Sequence, residues 1–229
     1  ERAIAIPQIL FDRPDTEVIV LDDAFQHRAV KAGLYILLTE CNKLFCRDYL
    51  LPVGSLRDSR SSYRRAGIIV VTKCDPGMND AAKDRIIAEI KPLQHQHVFF
   101  SAIHYREPYH IITREKRVLN KQTSVLLVCG IANPRPLKKF ILESASHCET
   151  LYYRDHYIFR IDDLRQIVKK LECMEGNDKM IIVTEKDAVG LVKFDSMLKD
   201  IPIFVLPIET GFLFDGAAEF DQQVKTFIE

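Results

Sequence analysis

Two α/β lobes built on parallel sheets are the fold that this sequence predicts, and three observations predict it. Short β-branched runs alternate with helical stretches, the runs are apolar throughout instead of every second residue, and the rhythm breaks once near the middle. Continuously apolar strands belong to sheets buried on both faces. Strands that alternate with helices imply right-handed crossovers and a layered sandwich.

The expected strands of the first lobe are Val18–Leu21, Leu34–Thr39, Ile68–Thr72 and Val98–Ser101. Those of the second are Ser124–Cys129, Thr150–Tyr153, Met180–Thr184 and Ile203–Leu206. Between them, Asp80–Leu93 places Ile86, Ile87, Ile90 and Leu93 at helical spacing. Pro136–Ser144 and Asp162–Met174 (Leu164, Ile167, Val168, Leu171) repeat the pattern. The stretch Tyr105–Thr123, with Pro108 and dense charge, reads as an exposed connector, either a short hairpin or a linker. The expected division is therefore residues 1–106, a linker over 107–123, and residues 124–229.

Composition narrows the class. The 229 residues carry 32 Lys+Arg against 32 Asp+Glu, and 47% are hydrophobic, which excludes a disordered chain. Zero net charge argues against a protein that coats nucleic acid or an anionic membrane, while leaving room for a local basic patch. The six cysteines form no C-x-x-C pair, and Cys74 and Cys129 lie in or just after apolar runs, as small buried hydrophobes do. A reducing, cytoplasmic setting follows. The apolar runs fall far short of the ~18 residues of a membrane span. The chain starts at Glu1 rather than Met, so its natural N-terminus is expected upstream.

Chemistry is carried by a few segments. In Val18-Ile19-Val20-Leu21-Asp22-Asp23, an apolar strand ending in two carboxylates would set them at the carboxyl edge of a parallel sheet, where α/β ligands bind. A strand of this kind holds Mg²⁺ in P-loop nucleotide enzymes, and a hard ion that keeps its waters needs only one or two carboxylates. Alternatively, one of the two acids caps the next helix. Gln26 and His27 follow at once, either within reach of the same site or as solvated helix residues.

The segment from Leu50 to Arg65 follows a possible Gly54-Ser55 turn with four arginines, Arg57, Arg60, Arg64 and Arg65, within nine residues. Arginine binds phosphate oxygens in a bidentate fork, so the segment is either a phosphate loop or a solvated basic turn with Asp58 as internal partner. Thr72-Lys73-Cys74-Asp75 closes a strand as a guanine-reading turn would. Asp155-His156 after the Thr150–Tyr153 strand offers a general base or a structural turn. His95 and His97 lack a third ligand and read as surface residues. Thr184-Glu185-Lys186-Asp187 ends another strand, with Thr184 placed to cap the helix that follows. No G-x-x-x-x-G-K-[ST] occurs, since none of the nine glycines precedes a lysine.

Taken in order, LDDAFQH, LLPVGSLRDS, IIVVTK, GIANP, YRDHYIF and TEKDAV resemble the tetraacyldisaccharide 4′-kinases, the lipid A 4′-kinases of Gram-negative bacteria. The resemblance runs from Leu21 to Val189, with fitting flanks. It implies two α/β/α sandwich lobes joined by a short β linker, the first an incomplete P-loop NTPase-like domain whose phosphate loop lies upstream. It also implies transfer of the ATP γ-phosphate to the 4′-hydroxyl of a lipid disaccharide at the cytoplasmic face of the inner membrane, with no nucleic-acid partner. Membrane contact would come through the missing N-terminal region, and the chain alone is expected to be inactive.

Carried over residue by residue, Asp22 and Asp23 would hold Mg²⁺, with Asp58 in the place of a metal-holding Glu. Gln26 and His27 would line the phosphate site, and Arg57 would contact the nucleotide phosphates. His156 would act with an acid partner on the sugar hydroxyl, with Asp155 beside it. Ala24 and Asp58 depart from the family's usual Gly and Glu. The competing expectations are a GTP-hydrolysing P-loop protein of the metal- or cofactor-insertion type, and a non-enzymatic binding module on a degenerate P-loop fold.

Overall fold

The computed structural model describes residues 2–155 and 157–229. The chain forms two compact units, Glu1–Ile103 with Thr210–Glu229, and His104–Glu209. In chain order the elements are α1 (Arg2–Asp12), β1 (Ile36–Glu40), β2 (Ile68–Cys74), α2 (Asp80–Ile90), β3 (His97–Tyr105), β4 (Tyr109–His110), β5 (Thr123–Cys129), α3 (Arg135–Ser144) and β6 (His147–Tyr152). Then follow α4 (Ile161–Cys173), β7 (Asp178–Thr184), α5 (Glu185–Leu191), α6 (Asp195–Leu198), β8 (Ile203–Leu206), β9 (Ile208–Phe212) and α7 (Gly216–Ile228).

In the first unit the sheet runs β1-β2-β3-β9, with β1, β2 and β3 parallel. The apolar runs supply both of its faces. Ile69, Val71 and Phe100 pack with Leu44, Ile86 and Ile90 on one side. Ile68, Val70 and Phe99 pack with Phe212, Phe220 and Val224 on the other. Helix α2 starts at Asn79, whose side chain accepts from the N–H of Ala82 at 2.9 Å. It stops at Ile90, short of the expected Leu93, because Lys91 turns left-handed (φ 53) ahead of Pro92.

The second unit has strand order β4-β8-β7-β5-β6, parallel except for the short edge strand β4. Every residue of β5 is buried. Leu126, Val128, Ile181 and Val183 face Leu164, Ile167 and Leu171 of α4. Val125, Leu127, Met180 and Ile182 face Leu137 and Ile141 of α3. Each fully buried aliphatic side chain contributes ~1.5–3 kcal/mol, so alternation inside an apolar run is what binds the three layers.

Three expectations are corrected. Val18–Leu21 forms no strand: Val18 is 45% and Val20 87% exposed, and no neighbouring strand pairs with the segment. An apolar run becomes a strand only when a ladder partner takes up its N–H and C=O groups. The stretch 107–123 belongs to the second unit, where β4 pairs with β8, Tyr109 bridges to Lys116, and His110 and Ile111 are buried. Residues 210–229 belong to the first unit, not the second, since Phe212, Phe220 and Val224 cover its sheet. Among the described residues no helix is long and apolar enough to cross a membrane.

Candidate active site

The acidic pair lies in a turn that follows the unpaired Val18–Leu21 segment, so the expected carboxyl-edge setting is absent. Asp22 and Asp23 are both exposed, and Asp23 takes a left-handed conformation (φ 47). Three donors hold the turn by its backbone. Arg2 Nη2 donates to the carbonyls of Asp22 (2.9 Å) and Asp23 (3.5 Å), and Gln26 Nε2 donates to that of Asp23 (3.0 Å). Arg65 Nη2 donates to the carbonyl of Phe25 at 2.8 Å. His27 meets Arg2 as well, its Nε2 accepting from Nη1 at 2.6 Å.

Backbone tethering leaves carboxylates available for chemistry. Among the described residues the Asp22 side chain is bonded to nothing, and Asp23 is ion-paired with Arg57. The Arg57 guanidinium hydrogen-bonded to Asp23 holds that carboxyl below its ordinary value, and Asp23 raises Arg57 in return. The sequence expectation set these two residues at one site, and the structure brings them together across 34 positions.

Asp58 is engaged differently. Its Oδ1 accepts from Arg28 at 2.9 Å and from the Ser59 N–H at 2.8 Å, and its Oδ2 accepts from Arg65 at 3.0 Å. Burial alone would raise this carboxyl, but Ser59, Ser62, Arg65 and Arg28 outweigh it and bring it down to about 2. Arg65 also stacks over Phe25 (5.0 Å) and Tyr35 (5.9 Å), which are themselves edge-to-face at 5.8 Å. One guanidinium thus ties the acidic turn, Asp58 and the approaches to β1 and β2. Arg2, Arg28 and Arg65 join the site in the structure, outside the sequence-predicted set. Only Arg65 carried a signal, as part of the basic run.

In the second unit Asp155 is ion-paired with Lys186. His156 lies outside the described residues. The GIANP and TEKDAV segments meet through Asp187, which is buried. Its Oδ2 accepts from the Gly130 N–H at 3.1 Å and from Thr184 Oγ1 at 2.6 Å. Thr184 caps α5 as expected, its side chain accepting from the N–H of Asp187. Gly130 admits no side chain, since a Cβ would come within 2.8 Å of the Arg154 carbonyl.

The guanine-reading expectation finds no support here. Asp75 spends Oδ1 on the N–H of Gly77 at 2.7 Å, and Lys73 is paired with Glu40. Cys129 is buried as expected, and burial pushes its thiol up to about 11.

The donor set can be tested against Mg²⁺ and a phosphate chain. Two adjacent exposed carboxylates, Asp22 and Asp23, suit a hard ion that keeps several waters. Arg57, with further N–H donors beyond the one on Asp23, suits phosphate oxygens. Asp58 does not complete a ligand trio, as its oxygens already serve two arginines and an amide. Among the described residues no three His, Cys, Asp or Glu side chains are grouped to hold a metal.

The family model described as tetraacyldisaccharide-1-P 4′-kinase matches residues 1–229. The chain belongs to the tetraacyldisaccharide 4′-kinase family. Among curated relatives, the tetraacyldisaccharide 4′-kinase of Parabacteroides distasonis is 38% identical over 224 residues, covering 95% of this chain and 60% of that protein. The one from Flavobacterium johnsoniae is 37% identical over 231 residues, covering 100% of this chain and 64% of that protein. The chain thus spans about 60% of the length of the curated tetraacyldisaccharide 4′-kinases it matches. The crystal structure of the "apo" form of LpxK from Aquifex aeolicus in complex with ATP superposes with a TM-score of 0.63 at 17% identity, over 97% of this chain and 61% of that one. That likeness establishes a shared α/β fold.

Proposed function

We propose that this chain carries the acceptor-phosphorylating machinery of a tetraacyldisaccharide 4′-kinase, moving a phosphoryl group from ATP to the 4′-hydroxyl of a tetraacyldisaccharide 1-phosphate. The observation that carries this reading is the family match along the whole chain, joined to the meeting of Asp23 with Arg57. Phosphoryl transfer asks little covalent chemistry of a protein; it asks for positioning and for charge aimed at the transferring oxygens.

In this scheme Asp22 and Asp23 hold Mg²⁺, which when bound supplies neutralisation of phosphate charge. Arg57 directs its remaining donors at phosphate oxygens, with Gln26 and His27 lining the same turn. Asp58 acts by fixing Arg28 and Arg65, not as a third ligand. His156 takes the proton from the sugar hydroxyl, and Asp155, its sequence neighbour, is ion-paired with Lys186. The location consistent with a lipid acceptor is the cytoplasmic face of a membrane, held peripherally.

The test is phosphate transfer from labelled ATP or GTP to the disaccharide by the protein that carries these residues. ATP-dependent labelling of the 4′ position is expected, with kcat falling about 10²–10³-fold in Arg57→Gln and KM for the lipid little changed. Preference for GTP, or no transfer to the disaccharide, would overturn the assignment. In His156→Ala, kcat should fall far more than the KM for ATP changes.

A further inference from the structure

The loop from Asp48 to Leu56 is tightly braced yet presents an apolar tip. Tyr49 is 61% exposed, Leu50 50%, Leu51 61% and Val53 82%. Soluble surfaces carry single exposed hydrophobes routinely, but four within five residues form a patch.

The bracing comes from below the tip. Asp48 accepts from the N–H of Tyr49 (2.8 Å), from the N–H of Ser55 (3.2 Å) and from Ser55 Oγ. The two limbs are joined by Leu51 N–H to Leu56 O and by Leu56 N–H to Tyr49 O, both at 3.0 Å. Val53 and Gly54 donate back to Leu50 O at 3.0 and 3.1 Å. A side chain at Gly54 would collide with the Tyr49 carbonyl and the Asp48 carboxylate. The backbone's hydrogen bonds are thus met inside the loop, and its apolar side chains are left outside.

A cation adjoins this tip, within a basic stretch of the chain. Residues 43–65 hold six Lys or Arg against two Asp, in a chain whose charges balance overall. The Arg60 guanidinium sits 4.6 Å over the Tyr49 ring and donates to the Asp48 carbonyl at 2.6 Å. Among the described residues neither Arg60 nor Arg64 is paired with a carboxylate, and both are exposed. An apolar tip beside an unpaired guanidinium, with a second on the same short helix (Arg60–Arg65) and a tyrosine at the boundary, matches the layering of an anionic bilayer from acyl chains to headgroups.

We infer that the Tyr49–Val53 loop is a membrane-docking element that seats Leu50, Leu51 and Val53 among acyl chains while Arg60 and Arg64 engage anionic lipid phosphates. The inference is independent of the kinase reading, because bilayer binding is measured without nucleotide or disaccharide.

The sequence has no tryptophan, so one introduced at Val53 is a sole reporter. Vesicles of phosphatidylglycerol mixed into phosphatidylethanolamine should blue-shift the emission of Val53→Trp, and brominated phospholipid should quench it. Val118→Trp, at a position 64% exposed in the second unit, should show neither change. Leu51→Asp combined with Val53→Asp should lower partitioning about tenfold or more. Arg60→Gln and Arg64→Gln should each lower it about fivefold, with little binding to phosphatidylcholine alone. Circular dichroism and melting of these surface variants should match the parent. The inference is overturned if vesicles do not bind, or if they bind without quenching at position 53. It is equally overturned if the double Asp variant binds like the parent. A loss of self-association in that variant, with vesicle binding intact, would assign the tip to a second copy of the chain instead.

Discussion

Arg65 holds Phe25 twice, by a hydrogen bond to its carbonyl at 2.8 Å and by a cation stacked 5.0 Å over its ring. The same guanidinium meets Asp58 at 3.0 Å. The acidic turn and the basic segment, which share no secondary structure, are therefore clamped by one side chain.

Replacing this clamp should be costly in a diagnostic way. Arg65→Met leaves Asp58 with one cation fewer and strips the Phe25 carbonyl of its donor. A loss of about 1–3 kcal/mol is expected in urea unfolding. Arg65→Lys should recover little of it, since an ammonium cannot span a carbonyl, a carboxylate and a ring face together. Full recovery by lysine would mean that charge alone matters.

Acid unfolding should report Asp58 and Asp48. Both sit at about 2 in the folded chain against an ordinary 3.8, Asp48 chiefly through the Ser55 hydroxyl. A depressed carboxyl stabilises the fold above its unfolded value and loses that contribution as pH falls through its folded one. The stability curve should therefore drop between roughly pH 4 and pH 2. Asp58→Asn and Asp48→Asn should each flatten that drop in pH-dependent urea titrations.

The sequence announced some of this arrangement and concealed the rest, for physical reasons. Strands β2, β5, β7 and β8 were legible because burial on both faces demands unbroken apolar runs. Val18–Leu21 has the same composition, yet a ladder partner is decided by distant chain. Helix α7 is less legible: Phe220, Val224 and Phe227 keep helical spacing, but the apolar stripe they form is narrow. At the site, Asp23 and Arg57 were recognisable by residue type. The contacts of Arg2 with the acidic turn, 20 or more positions away, and of Arg28 with Asp58, 30 positions away, leave no local trace.

Asp187 should prove to be a structural acid of the second unit. Asp187→Ala leaves the Gly130 N–H and the Thr184 hydroxyl without their acceptor in a buried setting, at about 1–3 kcal/mol for each group. Asp187→Asn keeps one acceptor oxygen and should cost less. Chemical denaturation of the two variants gives the comparison, and equal losses would show that the negative charge itself is needed.

Phe99 should be the keystone of the outer face of the first sheet. It is 4% exposed and lies edge-to-face with Phe212 at 5.9 Å and Phe220 at 5.4 Å. Phe99→Ala should cost about 3–5 kcal/mol. Amide exchange should accelerate in α7 before it does in α4, whose contacts lie in the other unit.

The return of residues 210–229 to the first unit bears on how the chain matures during translation. The second unit is contiguous, so it can close as soon as Glu209 has left the ribosome. Ile68, Val70 and Phe99 must wait, since Phe212, Phe220 and Val224 are synthesised only after the whole of that unit. At ordinary elongation rates the delay is on the order of ten seconds. Through that interval a half-finished sheet leaves its apolar face uncovered, so of the two units the one begun first is completed second.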